Sequence, residues 1–310
     1  MLDGPARAGS SRQTHTHSLS LERCSLMAHS TATAPELTQA QVRKILTTPL
    51  ETASTFLASG PTVIDTPGPL RMPFAPAGTD PGELEWTGEN ELIPEVDHEF
   101  GELHLLPSTM KSIKVLTRFS NELARQTFVS LDAALQARLV ADVAAKVDAQ
   151  LYSDDGDGVT TPRGMFAWEG TQDVAVGGAL ELDTILDGQA LALSANVDPG
   201  RLRLFLRPSD YMALRALKDG DQRYMLQPDA AQGARPTVLG LPVTVSPRIP
   251  AGRAALVDMA HVVVARDVMP SVKLLDQTFG QYDQQAIRVV TRFDAAPTAP
   301  DAVVTFSGIA

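Results

Sequence analysis

The sequence predicts an α+β fold, and three observations carry that prediction. A helical apolar period runs without a break from Ser120 to Tyr152. Short strand-like apolar stretches gather beyond residue 200. Between them helices and strands mix with no βαβ rhythm and no internal repeat, which argues against a parallel doubly wound sheet.

Composition narrows the function classes. The chain has 310 residues, 44% hydrophobic and 20% charged, which excludes wholesale disorder and collagen-like repeats. Its single cysteine, Cys24, rules out a disulfide framework. A formal charge of −11 argues against a general basic face coating nucleic acid. Aromatics at 5% leave little for stacking platforms, and no apolar run approaches the ~18–20 residues of a membrane span.

Residues 1–34 are rich in Ser, Thr, His and Ala without a hydrophobic period, and are expected to be a disordered arm. Met27 offers a second translation start. From Pro35, Leu37, Val42, Ile45 and Leu46 recur near helical spacing, and Thr48-Pro49 is expected to interrupt that helix before Phe56-Leu57. Residues 35–69 are thus expected to form an N-terminal arm. Six prolines between residues 60 and 81 forbid a helix there and disfavour a central strand.

Residues 70–110 follow as an extended acidic loop. Nine acids lie between Met72 and Met110, among them Glu83, Glu85, Glu89 and Glu91, with no Lys or Arg. Two extended stretches, 83–86 and 99–106, suggest a long β-hairpin that lies on a complementary basic surface, with Trp86 available for apolar burial. A solvated acidic loop is the plainer alternative.

The long helix then opens at Ser120, a suitable N-cap, with Glu122 in its first turn. Leu123, Phe128, Leu131, Leu135, Leu139, Val143, Val147 and Leu151 mark its apolar stripe, and Asp154 to Gly158 stops it. At full length it is a rod of roughly 50 Å, implying an elongated molecule. Residues 111–170, 171–265 and 266–310 are expected to form, in turn, a peripheral domain with this helix, an axial domain, and C-terminal strands returning to the periphery.

Beyond the rod, Leu182, Ile185, Leu186 and Leu191 predict a helix. Leu202, Leu204 and Leu206 alternate with Arg201, Arg203 and Arg207, predicting a strand with one buried and one basic face. Pro208-Ser209-Asp210 opens a short helix that ends at Asp219-Gly220. Strands are expected at 238–245, 254–257, 261–265, 287–293 and 302–306, the last two separated by a proline-rich turn, 296–300.

No motif asks for catalysis. The run Ser153 to Gly158 lacks the Glu that a calcium-binding EF-hand loop needs at position twelve, where Gly164 stands, so it reads as a turn. The six histidines show no metal-ligand spacing, and Gly177-Gly178 lacks the dinucleotide pattern. No cofactor or metal is expected.

Several segments, in order, resemble the major capsid protein family of tailed bacteriophages with the Hong Kong 97-type fold. Gly82-Glu83-Leu84-Glu85-Trp86 through Glu95 is similar to its extended loop. Val115 to Leu123 resembles its "V-x-V-S-x-E-L" entry to the spine helix. Asp155 to Gly158, then Pro162 to Met165, resembles "G-D-G … P-x-G-I", and Leu239 to Val243 the "L-x-G-x-P-V" turn. Ala251-Gly252 with Asp258-Met259 resembles the strand that follows.

The resemblance implies a non-enzymatic shell subunit. It would assemble as pentamers and hexamers in the host cytoplasm and reside in the virion. Implied partners are packaged DNA, held non-specifically, a portal, and scaffold or decoration proteins, with no membrane. Some relatives weld subunits through a Lys–Asn isopeptide bond. The loop here has no lysine, and Gln284-Gln285 and Arg292 stand near the other partners' positions, so no such bond is expected. Candidate subunit contacts are the loop's Glu83, Glu85, Trp86, Glu89 and Glu91 against Arg118, Arg125, Arg138 and Lys146 of the rod region and Arg201, Arg203 and Arg207. An encapsulin-like nanocompartment and a soluble enzyme with dispersed catalytic residues are the alternatives.

Overall fold

The computed structural model describes residues 48–74, 86–91, 101–122, 131–218, 220–222, 224–225, 237–267, 271–275 and 277–310. All belong to one unit, Leu37–Ala310. Sequence expectations for residues 1–47 lie outside the described residues, as do Glu83, Glu85 and Arg125.

The chain enters through helix α1 (Thr48–Ala53). Pro49 lies within this helix, and the expected interruption of a preceding helix at Thr48-Pro49 turns on residues before 48, outside the described residues. Leu50, Phe56 and Leu57 are buried in the main core. Strands β1 (Thr62–Thr66) and β2 (Leu70–Phe74) then lie inside the proline-rich stretch. Both are edge strands, where proline is tolerated: β1 runs parallel to β10 (Val262–Asp267), and β2 pairs antiparallel with β3 (Gly101–Leu105). The base of the expected acidic hairpin is therefore β2–β3, and its first strand begins before residue 83.

Strand β4 (Ile113–Ser120) leads into the long helix. The Ser120 hydroxyl accepts the Glu122 N–H at 3.2 Å, as an N-cap does. Helix α2 (Leu131–Leu151) spans 21 residues, about 31 Å. Its buried positions Leu139, Val140, Val143, Val147 and Leu151 follow the helical period. The segment 123–130 lies outside the described residues.

Three sheets complete the unit among the described residues, besides the β2–β3 hairpin. One has the order β1-β10-β13 (Phe293–Pro297). A second has the order β11 (Ser271–Leu275), β12 (Gln284–Thr291), β4. The largest is six-stranded: β5 (Gln172–Ala175), β14 (Val303–Ser307), β9 (Arg253–Asp258), β6 (Leu202–Leu206), β8 (Leu241–Val245) and β7 (Thr237–Val238).

The six-stranded sheet separates two cores. Leu204, Leu256, Val304 and Phe306 face the core under helices α3 (Leu182–Ser194) and α4 (Pro208–Arg215), while Phe205, Ala255, Val257 and Val303 face the core under α2. Period-two alternation sends neighbouring side chains to opposite faces, and here both faces are covered. This corrects the expectation of a basic face on β6. Phe205 is fully buried, Arg203 is half-buried with its guanidinium donating to Thr244 Oγ1 at 3.3 Å, and the strand is central.

Helix α3 rests on β14 so closely that a Cβ at Gly188 would overlap the Phe306 ring. Residues 293–297, in part expected as a turn, form β13 against β10, with Val263 opposite Ala296. The mixed architecture is α+β.

Candidate functional site

At the main core, Asp148 and Arg266 are engaged in holding the fold. Asp148, near the end of α2 and 4% exposed, accepts the Thr55 N–H at 2.9 Å, the Thr55 hydroxyl at 2.8 Å, the Phe56 N–H at 3.3 Å and the Ser54 hydroxyl. One turn on, burial pushes the Tyr152 hydroxyl far above the ordinary phenol range. Arg266 on β10 donates to Asp65 at 2.6 Å and to Glu51 at 2.7 Å, tying β1 and α1 to the sheet.

In the turn after α2, Asp157 accepts the backbone N–H of Thr161, Thr160 and Val159 and the Thr160 hydroxyl. These bonds, led by that from Thr161, hold its carboxyl well below the usual carboxylate range. The acid-and-glycine run is a self-capped turn. Among the described residues no group of His, Cys, Asp and Glu is arranged to hold a metal, and no helix is long and apolar enough to cross a membrane.

Asp294 on β13 holds the exit of the hairpin. Its Oδ2 accepts the Leu106 N–H at 2.9 Å, and Leu106 takes a positive φ of 52° there. Burial raises its pKa to about 6, opposed by the N–H groups of Leu106 and Ala295 and by Arg163. The folded-state value lies above the unfolded one, so the group's favourable contribution is complete below about pH 4 and is lost as pH rises through about 6. We expect stability to fall across that window by up to about 3 kcal/mol from this residue. Denaturant unfolding at a series of pH values should show the slope. Asp294→Asn should flatten it, and an unchanged slope would assign it to other groups.

The expected contact residues are dispersed. On the acidic side, Trp86 is fully exposed, Glu89 and Glu91 are exposed, and Glu91 accepts the Gly88 N–H at 2.9 Å. On the basic side, most candidates already have partners. The Arg118 guanidinium lies 4.7 Å over the Phe279 ring. Arg138 pairs with Asp142 at 3.1 Å, and Arg201 with Asp198 at 3.5 Å. Arg203 is half-buried, and half-buried Arg207 precedes α4.

Lys146 differs. It opens onto a cleft of about 450 Å³ between α2, the start of β4 and the turn at 160–162. Lys111 and Lys114 share that rim, while Val115, Val147, Leu151 and Phe293 supply apolar lining. All three lysines are exposed, and none has an ion-pair partner among the described residues. Sequence reasoning missed Lys111 and Lys114. The signal was present, since Lys114 and Arg118 alternate with Ile113 and Val115 along β4.

Exposed apolar side chains collect elsewhere. Leu186 and Leu193 stand on the outer side of α3, Met212 on α4, and Tyr224 and Met225 follow. Burying such groups releases about 25 cal/mol per Å², so they favour contact with other protein surfaces.

Comparison with known proteins agrees with this arrangement. The capsid of the native GTA particle, computed with C5 symmetry, superposes at TM-score 0.64 with 16% identity, covering 88% of this chain and 91% of that one. The structure titled Mycobacterium phage Bobi gives TM-score 0.63 at 17% identity over 82% and 90%. A virus-like particle from Pyrococcus furiosus gives 0.54 at 12% identity over 86% and 98%. No curated protein matches significantly. The model of the phage capsid family matches residues 38–308. With nearly the whole chain inside that match and the same mixed fold in phage capsids, this chain belongs to the phage capsid family and is a structural subunit of a head shell.

Proposed function

We propose that the chain self-assembles, as pentamers and hexamers, into the icosahedral head of a tailed phage enclosing double-stranded DNA. The observation that carries this is the family match across residues 38–308. The exposed Leu186 and Leu193 of α3 and Met212 of α4 support it, because a free subunit would leave them in water while neighbouring copies bury them. In this reading the protein is not an enzyme, is assembled in the host cytoplasm and resides in the virion. A portal, and scaffold or decoration proteins, are its further partners. A net charge of −11 keeps the wall from trapping its DNA.

Size-exclusion chromatography with electron microscopy tests the reading. Closed megadalton particles are expected; a small oligomer under all assembly conditions would overturn it. Particle contents separate a DNA-filled head from an encapsulin-like compartment holding a cargo protein. Because no lysine lies between Met72 and Met110, hot SDS should release monomers from such particles. A ladder of covalent multimers after boiling would mean that other residues form a cross-link.

A further inference from the structure

We propose that the root of the β2–β3 hairpin is a hinge at Leu106 held by a proton-operated clasp, the buried Asp294 carboxyl, which closes in acid and opens more readily at neutral pH. The device belongs to the single chain and does not depend on the shell reading.

Three features of the root make a hinge. The hairpin joins the body through two short necks: Pro67-Gly68-Pro69 between the end of β1 and the start of β2, and Leu106-Pro107 after the end of β3. Next, the chain just past the second neck is fixed to the turn after α2. The Thr109 hydroxyl donates to Val159 O at 2.8 Å, and the Lys111 N–H to Thr160 O at 2.9 Å. Before that neck, β3 has ladder bonds only with β2 among the described residues. Movement of the hairpin against the body is therefore absorbed at the necks. Third, Leu106 holds a positive φ of 52°, a left-handed conformation that a residue with a Cβ keeps only under constraint. The constraint is the bond from the Leu106 N–H to Asp294 Oδ2 at 2.9 Å, together with burial of Leu105 and Leu106 against Val263 and Ala265 of β10.

The clasp is a carboxyl where a charge is costly. Asp294 is 3% exposed and lines a crevice of about 390 Å³ between the hairpin root, the turn after α2 and β13. The charged groups facing that crevice are Glu102 and His104 of β3, Asp157 and Arg163 of the turn, and Glu169. Glu102 and His104 pair with each other at 3.4 Å, and Arg163 with Glu169 at 2.7 Å. From β10, Ala265 lies opposite Asp294, and the neighbouring Arg266 is held by Asp65 and Glu51. An ionised Asp294 therefore adds a carboxylate to Glu102, Asp157 and Glu169 in a crevice whose arginine is already engaged. Burial accordingly raises its pKa to about 6, against about 4 for a carboxyl in water. Opening the root exposes this carboxyl and releases its proton. The bias toward closure is complete below about pH 4 and is lost as pH rises through about 6, so opening becomes up to about 100-fold easier.

Site-resolved hydrogen exchange on the full chain reads the clasp, with each rate divided by the intrinsic rate at that pH. Protection of the Leu106 N–H should fall by up to about 100-fold between about pH 4 and about pH 7. It should hardly change with low denaturant, because a local opening exposes little surface. Amides in the middle of α2, such as that of buried Val143, should be better protected and should weaken with denaturant. Asp294→Asn should remove the pH dependence at Leu106 while circular dichroism stays unchanged. Arg163→Gln should move the midpoint of the fall to higher pH, because the guanidinium opposes the rise of the Asp294 pKa. That shift serves as the test if the asparagine variant does not fold. His104→Gln, at the other group of the crevice able to change charge near neutrality, should leave the fall in place. Leu106 protection that matches α2 in size and in denaturant response would mean that the root opens only on global unfolding, and overturns the hinge. A parent chain with no fall, a fall that survives Asp294→Asn or is unmoved by Arg163→Gln, or one that disappears with His104→Gln overturns the clasp.

Discussion

Asp148→Ala should lower stability by about 3–5 kcal/mol, read as a fall in the denaturant midpoint at unchanged slope. The residue joins pieces of chain that no continuous element connects. Its carboxylate takes two backbone N–H groups and two hydroxyls from 54–56, all drawn from the segment that follows α1. Removing it strands these donors in a buried place, and each unsatisfied group costs ~1–3 kcal/mol. The damage would spread through Thr55, whose hydroxyl also reaches Tyr152 and Ser246 at 3.3 Å each. Phe56 packs edge-on to Tyr152 at 5.4 Å, and Tyr152 packs on Phe205 at 5.9 Å, so the pin also registers three aromatic rings. Asp148→Asn keeps one acceptor oxygen and should cost less than alanine. A loss below about 1 kcal/mol for alanine would mean that water replaces the carboxylate, and the pin would not matter.

A carboxylate in the last turn of a helix opposes the helix dipole, and Asp148 sits in that turn of α2. That conflict was visible in the sequence as a hint of a fixed role, though its partners 54–56 were not. They lie more than ninety residues away in the chain, and spacing alone cannot bring them together. Elements with a strong local period were legible. The buried stripe of α2, the helix α3 and the short helix opened by Pro208 follow from apolar spacing and a proline at the first turn. The strands at 254–257 and 302–306 sit within a residue or so of their expected bounds.

Elsewhere, misreadings have a common cause, which is that the local pattern does not say which strand is central. β6 carries an Arg–Leu alternation that looks half-solvated, yet it lies between β9 and β8 with Phe205 in the opposite core. β1, flanked by Pro61 and Pro67, and β2, which carries Pro73, lie in a stretch that looks like loop, yet both are strands at sheet edges. At the candidate contact surface the same limit applies. Arginines prominent in the sequence are held by Asp142, Asp198 or Phe279, and the open cations are Lys146, which the sequence singled out, and Lys111 and Lys114, which it did not.

The turn after α2 carries the other large effect. Gly164→Ala should cost at least about 3 kcal/mol, because a Cβ there would overlap the Ser153 carbonyl oxygen, a backbone atom that cannot swing aside. The overlap is steric and not conformational, since Gly164 has an ordinary φ of −74°. Around it the chain is knitted to itself. The Gly164 N–H donates to Asp155 O at 3.0 Å, Phe166 N–H to Ser153 O at 3.2 Å, and the Gln150 amide to Pro162 O at 2.8 Å. Relieving the clash would break these bonds and draw Met165, fully buried, out of the main core. Gly177 makes a fair control: its φ is 67°, but nothing lies within 4 Å of where a Cβ would be. Alanine there meets only the left-handed backbone penalty of ~1–2 kcal/mol. Unfolding midpoints of the two variants should therefore separate clearly, with Gly164→Ala the weaker fold. Equal losses would mean that the turn yields to a methyl group without disturbing the core.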